Sequence, residues 1–401
     1  MWIRIVSIAI ATSLAGGSAG ASPLEPLWET KFRGDCDSAV FPYAGGLAIL
    51  HDRTFVPVDG NGVLGTPRKL LARKENVQHG RSWGHPDGNA FLVDGVLIVQ
   101  GGHWIGGYDL ATGQELWWAE PGSGESFKIR AAGKRLLVVT STNGNTPAIA
   151  IEALHPRTGK AQWRVTAPAA LTQVDGVTTD ATQLYLSASS WQGGYRSFLL
   201  AGDLATGKLA WQVEIKSPAQ AVGIGAIAPS DAGLVVQVPT EGLRILDQAT
   251  GNERRRIAAP QAIRVVVRGS RVYLGDAGSV AAYDLATGKL AWTTKLASPT
   301  IDIDPRVVLV YDDNELVHAL DPATGADLAT WSVAGYELIY AGTPMLLLCG
   351  GGKLLALDPS GPVRAPETAT ISGTITCRGC ERRAPPAKEV VVAGVAVPLV
   401  A

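Results

Sequence analysis

A five-residue turn followed by a tryptophan recurs along this chain, and no other feature restricts its fold as much. The best copies are Asp109-Leu-Ala-Thr-Gly113 with Trp117, Asp203-Leu-Ala-Thr-Gly207 with Trp211, and Asp284-Leu-Ala-Thr-Gly288 with Trp292. His155-Pro-Arg-Thr-Gly159 with Trp163 keeps the glycine and the tryptophan but not the aspartate. Asp247-Gln-Ala-Thr-Gly251 and Asp321-Pro-Ala-Thr-Gly325 keep the turn. There Arg255 and Ala329 take the tryptophan position, with Trp331 two places beyond the latter. Asp358-Pro-Ser-Gly361 is a shortened last copy, and Asp59-Gly-Asn-Gly62 a degenerate candidate for the first. From Gly113 to Gly361 the marker glycines stand 46, 48, 44, 37, 37 and 36 residues apart. A period of about forty with several short strands per copy signals a β-propeller and not a helical solenoid.

Within one unit, Arg271 to Leu274 runs out, Gly275 to Gly278 turns, and Ser279 to Tyr283 runs back. An aspartate can accept hydrogen bonds from turn amides, and glycine supplies the positive φ that such a turn needs. The tryptophan then falls on the next strand, where its apolar area can fill the wedge between neighbouring sheets. One four-stranded sheet cannot bury both faces by itself, whereas radial stacking covers them all. The expected fold is all-β: an eight-bladed propeller of four-stranded antiparallel blades. Seven blades are the alternative, because the first is degraded. The most apolar runs, such as residues 47–50, 95–99, 234–237 and 307–310, are expected as inner strands. No tryptophan strand follows the last marker, yet Leu27-Trp-Glu-Thr-Lys-Phe32 reads like Leu290-Ala-Trp-Thr-Thr-Lys295. A strand near residues 25–33, carrying Trp28, is therefore expected to close the ring.

Residues 1–21 read as a secretory signal, with Arg4, an apolar stretch from Ile5 to Leu14, and the small-residue site Ala19-Gly-Ala21. The propeller is expected over 22–361. Residues 362–401 read as a linker and a C-terminal β tail, with strands at 368–376 and 389–400, or as the start of a β-sandwich module. The formal charge of −1 argues against nucleic acid or an anionic membrane as an obligatory partner. No apolar run is long enough to span a bilayer, and no cysteine sits at the expected cut. The expectation is an exported monomer, periplasmic or extracellular.

The repeated Asp-x-x-Thr-Gly-x-x-x-Trp resembles the repeat of the pyrroloquinoline-quinone (PQQ) dehydrogenase propellers. It is similar also to that of their non-catalytic relatives, among them the BamB-type propeller of the outer-membrane barrel assembly machinery. The resemblance covers about residues 25–361. Among the dehydrogenases it implies PQQ and calcium on the propeller axis, in many members against a disulfide between adjacent cysteines. Here Cys36, Cys349, Cys377 and Cys380 include no adjacent pair, and the long insertions that build a quinone pocket have no room. No cofactor is therefore expected, and PQQ with calcium belongs only to the alternative reading. The repeat residues are structural, so function has to be argued from a site.

Cys377-Arg-Gly-Cys380 is followed by Glu381, not by the histidine that haem attachment needs. A structural zinc lacks its second pair, and a thioredoxin-like role wants a helix start in place of strands. A local disulfide is expected, and a second one between Cys36 and Cys349 would staple the ring closure. No phosphate loop, nucleophile elbow or zinc-protease helix motif occurs. Loops 73–88, 100–107, 141–147 and 188–196 are the candidate binding face, with Trp83, Trp104, Trp191 and Tyr195 as aromatic anchors. His85 and His103 lie beside them, so a metal or sugar site is the sharper reading and exposed loop residues the plainer one. Glu253-Arg-Arg-Arg256 is either a solvated outer strand or a docking patch. The function expected is a non-catalytic scaffold that binds another envelope or secreted protein, or an extended ligand. The alternatives are a quinoprotein-like dehydrogenase and a carbohydrate-binding propeller.

Overall fold

In the computed structural model the strands run up and down in groups of four, each group forming one antiparallel sheet. Residues 26–358 are described, apart from 33–38, 52, 72–89, 102–103, 121–124, 143–147, 192–193, 217–222, 260–261, 297–299, 304–305 and 342–344, together with 389–392 and 395–398. The sheets are the blades of an eight-bladed propeller. Blades one to seven span residues 39–69, 90–119, 125–166, 173–215, 227–258, 264–295 and 300–332, and blade eight is 337–357 plus a strand from the other end of the chain. Among the described residues every helix or strand element is a strand.

The second strand of each blade has both faces covered by neighbouring blades. Gly46–His51, Val96–Gln100 and Gly233–Val238 are accordingly buried almost throughout. They read as continuous apolar runs where a half-exposed strand would alternate. The sequence expects these runs as inner strands, and the structure makes them the second strand of each blade. The innermost strands are less apolar segments such as Ala39–Tyr43 and Ile227–Ser230, which border the axis and have less surface to cover. Outer strands alternate. In Leu209–Ile215 the residues Trp211, Val213 and Ile215 turn toward blade five while the residues between them face water.

Each of the eight seams holds its own hydrophobic cluster. Leu97 and Tyr108 meet Phe41 and Leu50 between blades one and two, and Ile98 and Trp117 meet Ile129 and Leu136 between two and three. Fully burying one leucine, isoleucine or valine contributes about 1.5–3 kcal/mol, so each seam is a small core in its own right. The ring closes through the first described strand. Trp28–Lys31 pairs antiparallel with Lys353–Leu357, Trp28 opposite Ala356. The Leu27 amide donates to the Ala356 carbonyl at 2.8 Å, the Phe32 amide to Gly352 at 2.9 Å, and Lys353 Nζ reaches Glu29 Oε1 at 2.7 Å. Phe32 and Cys349 of blade eight pack with Leu47 and Ile49 of blade one. Cys349 is disulfide-bonded; Cys36, expected as its partner, and Cys377 and Cys380 lie outside the described residues.

Residues 363–401 form a second unit. There Glu389–Val392 pairs antiparallel with Val395–Pro398, so the single strand expected over 389–400 is a hairpin. The two residues between the strands are Ala393 and Gly394, and a two-residue link containing glycine suits a tight reversal. The expected signal at 1–21, the linker and the strand at 368–376 lie outside the described residues.

Replacing Trp28 by alanine removes a half-buried indole from the closing seam. It should lower stability by about 3 kcal/mol and hasten proteolysis of the chain ends, as measured by chemical denaturation and limited digestion.

Candidate functional site on the loop face of the ring

The marker turns are built from side-chain oxygens bonded to their own backbone. Asp109 Oδ1 accepts from the amides of Ala111 and Thr112 at 2.9 and 3.0 Å, and Asp321 does the same for Ala323 and Thr324 at 2.8 Å. In blade three His155 Nδ1 accepts from the Arg157 amide at 3.2 Å, so the imidazole replaces the carboxylate. Asp59 Oδ1 accepts from Asn61 and Val63, both at 2.9 Å, which makes the degenerate first copy a working marker. Hydrogen bonds from the threonine hydroxyl, then from its amide, hold Asp203 and Asp284 below the usual carboxylate range. Asp247 is lowered by the Thr250 hydroxyl and by Arg254. Asp358 pairs with Arg306 at 3.2 Å, while Gly361 lies outside the described residues.

Four markers also accept a hydrogen bond from the tryptophan of the preceding blade. Trp163 Nε1 donates to Leu204 O at 3.2 Å, Trp211 to Gln248 O at 2.8 Å, Trp292 to Pro322 O at 3.0 Å, and Trp117 to Pro156 O. The acceptor is always the residue after the first marker position. Beneath the indole lies the marker glycine: Gly159 has φ +66°, and a β-carbon there would collide with the Trp117 ring. Trp28 covers Gly62 in the same way, although its Nε1 finds no acceptor among the described residues. Blade one uses Arg68, whose Nη1 donates to Leu110 O. Blade five uses Arg255, which lies against Gly288 with its Nη1 buried and unpaired among the described residues. Arg254 pairs with Asp247, and Arg256 with Glu253 at 2.5 Å. Two of the three arginines at 253–256 are thus paired with carboxylates, while Arg255 turns toward the marker of blade six. In blade seven the displaced Trp331 is 1% exposed and fills the seam to blade eight.

Antiparallel order sorts the loops between the two faces. First-to-second turns and markers lie at one end of each blade; second-to-third loops and interblade connections lie at the other. Loops 100–107, 141–147 and 188–196 join second to third strands, and 73–88 joins blades one and two. The described strands that flank the four candidate loops thus all end on one face. Trp83, His85 and His103 lie outside the described residues. Trp104 is not an anchor: it is 4% exposed and packs with Phe41, Phe55 and Tyr108 in the seam between blades one and two. Gly101 makes room for it, since a β-carbon there would strike the indole.

Blade four presents an exposed tryptophan beside a half-buried tyrosine. Gln183–Ser190 and Arg196–Asp203 form a hairpin of two eight-residue strands, against five-residue strands in blade two. At its tip Trp191 is 62% exposed, and its ring meets Tyr195 edge-on with centroids 4.6 Å apart. The Tyr195 hydroxyl stands beside Gly223, 3.0 Å from where a β-carbon would lie, so the tyrosine leans on the connection to blade five. Arg196 sits 5.3 Å from the Phe198 ring centroid at the root of the loop. The tryptophan is thus held by a braced neighbour and keeps most of its area for contact.

Two buried titratable groups escape sequence reasoning. Burial pushes the Asp175 carboxyl up, against the pull of a Ser189 hydrogen bond and of Lys128. His318 is buried in blade seven, with Nδ1 3.1 Å from Asp327 Oδ2 and 2.9 Å from Thr330 Oγ1, and Nε2 3.4 Å from Asp312 Oδ2. Burial works against the charged ring, but the bonds from Asp327 and Asp312 outweigh it and raise its pKa above the ordinary value of 6.5. The two groups sit in different blades, three apart around the ring. Calcium-assisted quinone chemistry needs converging oxygen donors, and no three His, Cys, Asp or Glu side chains converge to hold a metal among the described residues.

The family model described as outer membrane protein assembly factor BamB matches residues 66–245 and 239–378. The chain belongs to this family. The assembly factor BamB of Burkholderia pseudomallei is 29% identical over 296 residues, covering 68% of this chain and 72% of that protein. Among solved structures, BamB from Moraxella catarrhalis superposes with a TM-score of 0.56 at 17% identity, covering 83% of this chain and 99% of that one. A quinohemoprotein alcohol dehydrogenase from Pseudomonas putida superposes at 0.58 with 12% identity, over 93% of this chain and 81% of that one. At such identities the superpositions speak for the propeller fold, which catalytic and non-catalytic proteins share.

Trp104→Ala should cost about 3–5 kcal/mol of stability, whereas Trp191→Ala should change it by less than about 0.5 kcal/mol, both read from denaturant midpoints. His318 adds stability that is full below about pH 6.5 and is lost as pH rises through its raised folded pKa. His318→Gln should flatten that decline in unfolding curves recorded from pH 6 upward.

Proposed function

We propose that this chain is an exported, non-catalytic propeller that acts as an assembly factor for outer-membrane proteins, docking another envelope protein on its loop face. The observation that carries the reading is the exposed Trp191, braced by Tyr195, on the face where the described strands flanking the four candidate loops end. Rigid aromatic side chains lose little entropy on contact and dominate interface energies. The marker face is less suited, because its carboxylates are already bonded within their own turns. The relatives described as assembly factors support the choice of an envelope partner. Among the described residues no helix is long and apolar enough to cross a membrane. The sequence reading of residues 1–21 as a signal supports export, and a monomeric ring suffices for the proposed role.

Deleting the gene should lower the amount of assembled outer-membrane β-barrel protein, measured by heat-modifiable mobility in envelope extracts. The wild-type gene should restore it. A Trp191→Ala, Tyr195→Ala double variant, which removes about 2 kcal/mol or more of contact energy, should restore much less at equal expression. Full restoration by that variant overturns the assignment to this face.

A further inference from the structure

Seam five–six departs from its neighbours at two positions. In three other blades the outer strand, or the residue just past it, turns two large side chains toward the next blade: Trp211 and Ile215 in blade four, Trp292 and Leu296 in blade six, Trp28 and Phe32 in blade eight; blade three has Trp163 with Ala167. In blade five the corresponding residues are Arg255 and Ala259. The arginine is not wide enough to replace an indole, and the alanine leaves the loop-face end of the seam unfilled. A recess of ≈ 210 Å³ results, walled by Ala258, Ala259 and Ala262 on one side and by Leu274, Ala281 and Tyr283 on the other. Ile263, next along the same connection, is 65% exposed. At the lip the Asp276 carboxylate accepts from the amides of Gly278 and Ser279 at 2.8 and 2.6 Å and from the Ser279 hydroxyl at 2.9 Å, and keeps its negative charge. It has no cationic partner among the described residues. Small-molecule sites usually run from about 300 Å³ upward, so this volume suits one or two side chains, not a cofactor.

We infer that the recess takes one aliphatic side chain of an extended partner segment, flanked by a lysine or arginine that meets Asp276. The inference rests on the protein-docking reading above and gives the partner its chemistry. The inserted side chain replaces the contact that Ile215 or Leu296 makes elsewhere in the ring, against Leu274 and the Tyr283 ring. The basic neighbour supplies the counter-charge that the lip carboxylate lacks among the described residues. Ala259, Ala262 and Asp276, which border the recess, lie at the same end of the blades as Trp191.

The probe is a fluorescein-labelled, capped peptide, Thr-Lys-Leu-Lys-Thr, titrated with the full chain by fluorescence anisotropy. Saturable binding is expected. Ala259→Leu, which fills the recess from inside, should weaken it about ten-fold without lowering the unfolding midpoint. Changing the peptide leucine to alanine should have the same effect, and Asp276→Asn should remove most of the salt dependence. Should Ala259→Leu lower the midpoint, Ala262→Leu repeats the test from the same wall. No saturation, or binding unchanged when the recess is filled, overturns the inference. The complementation result with Trp191 and Tyr195 is read separately: if it holds while the peptide fails, the recess assignment falls and the loop-face reading stands.

Discussion

The indole of one blade resting on the marker glycine of the next is the contact on which the ring depends. It answers two demands at once. The wedge between sheets that diverge from the axis needs volume, and the marker carbonyl needs a donor that no strand ladder supplies. Aspartate and threonine fix the turn so that this carbonyl faces the incoming ring, and glycine removes the β-carbon that would block it. A hydrogen bond of this kind adds about 1 kcal/mol net, and the buried ring area adds more. The two arginine replacements separate the demands. Arg68 keeps the donor without the full area, and Arg255 sits in place but leaves a guanidinium nitrogen without a partner among the described residues.

This coupling also explains which parts of the molecule are legible in the sequence. The turn chemistry is local, so Asp, Thr and Gly at fixed spacing report the blades, and the tryptophan reports the seams. Even the strand carrying Trp28 is visible, because it repeats a pattern found elsewhere. Features set by non-local packing are not. Trp104 is flanked by glycines and looks like a loop residue, yet Phe41 and Phe55 of another blade decide its burial. The charged neighbours of His318 come from a turn and an adjoining strand and carry no spacing signal. The unfilled end of seam five–six depends on Ala259 facing Leu274 and Tyr283, a pairing known only once the blades are side by side. The apolar run near the C-terminus reads as one strand because hydrophobicity alone does not mark where a chain reverses.

A rigid ring divides labour between its faces. On one side polar side chains are bonded to their own backbone, leaving little for a partner. On the other, second-to-third loops vary in length without disturbing any seam, because both their ends are anchored in buried strands. Blade four uses that freedom to project a tryptophan, and blades five and six use it to leave a gap. Both departures lie on the side where variation disturbs the core least.

The pairing of Trp28 with Ala356 has a kinetic consequence. A ribosome delivers the opening strand first, yet its hydrogen-bonding partner emerges only after seven further blades. Throughout that interval the early indole has no groove to occupy, and the first sheet has one flank bare. Contacts of such sequence separation form slowly, so the folding chain remains an open arc until its last blade is in place. Whatever shelters that arc matters as much to the yield of finished rings as the stability of any one seam.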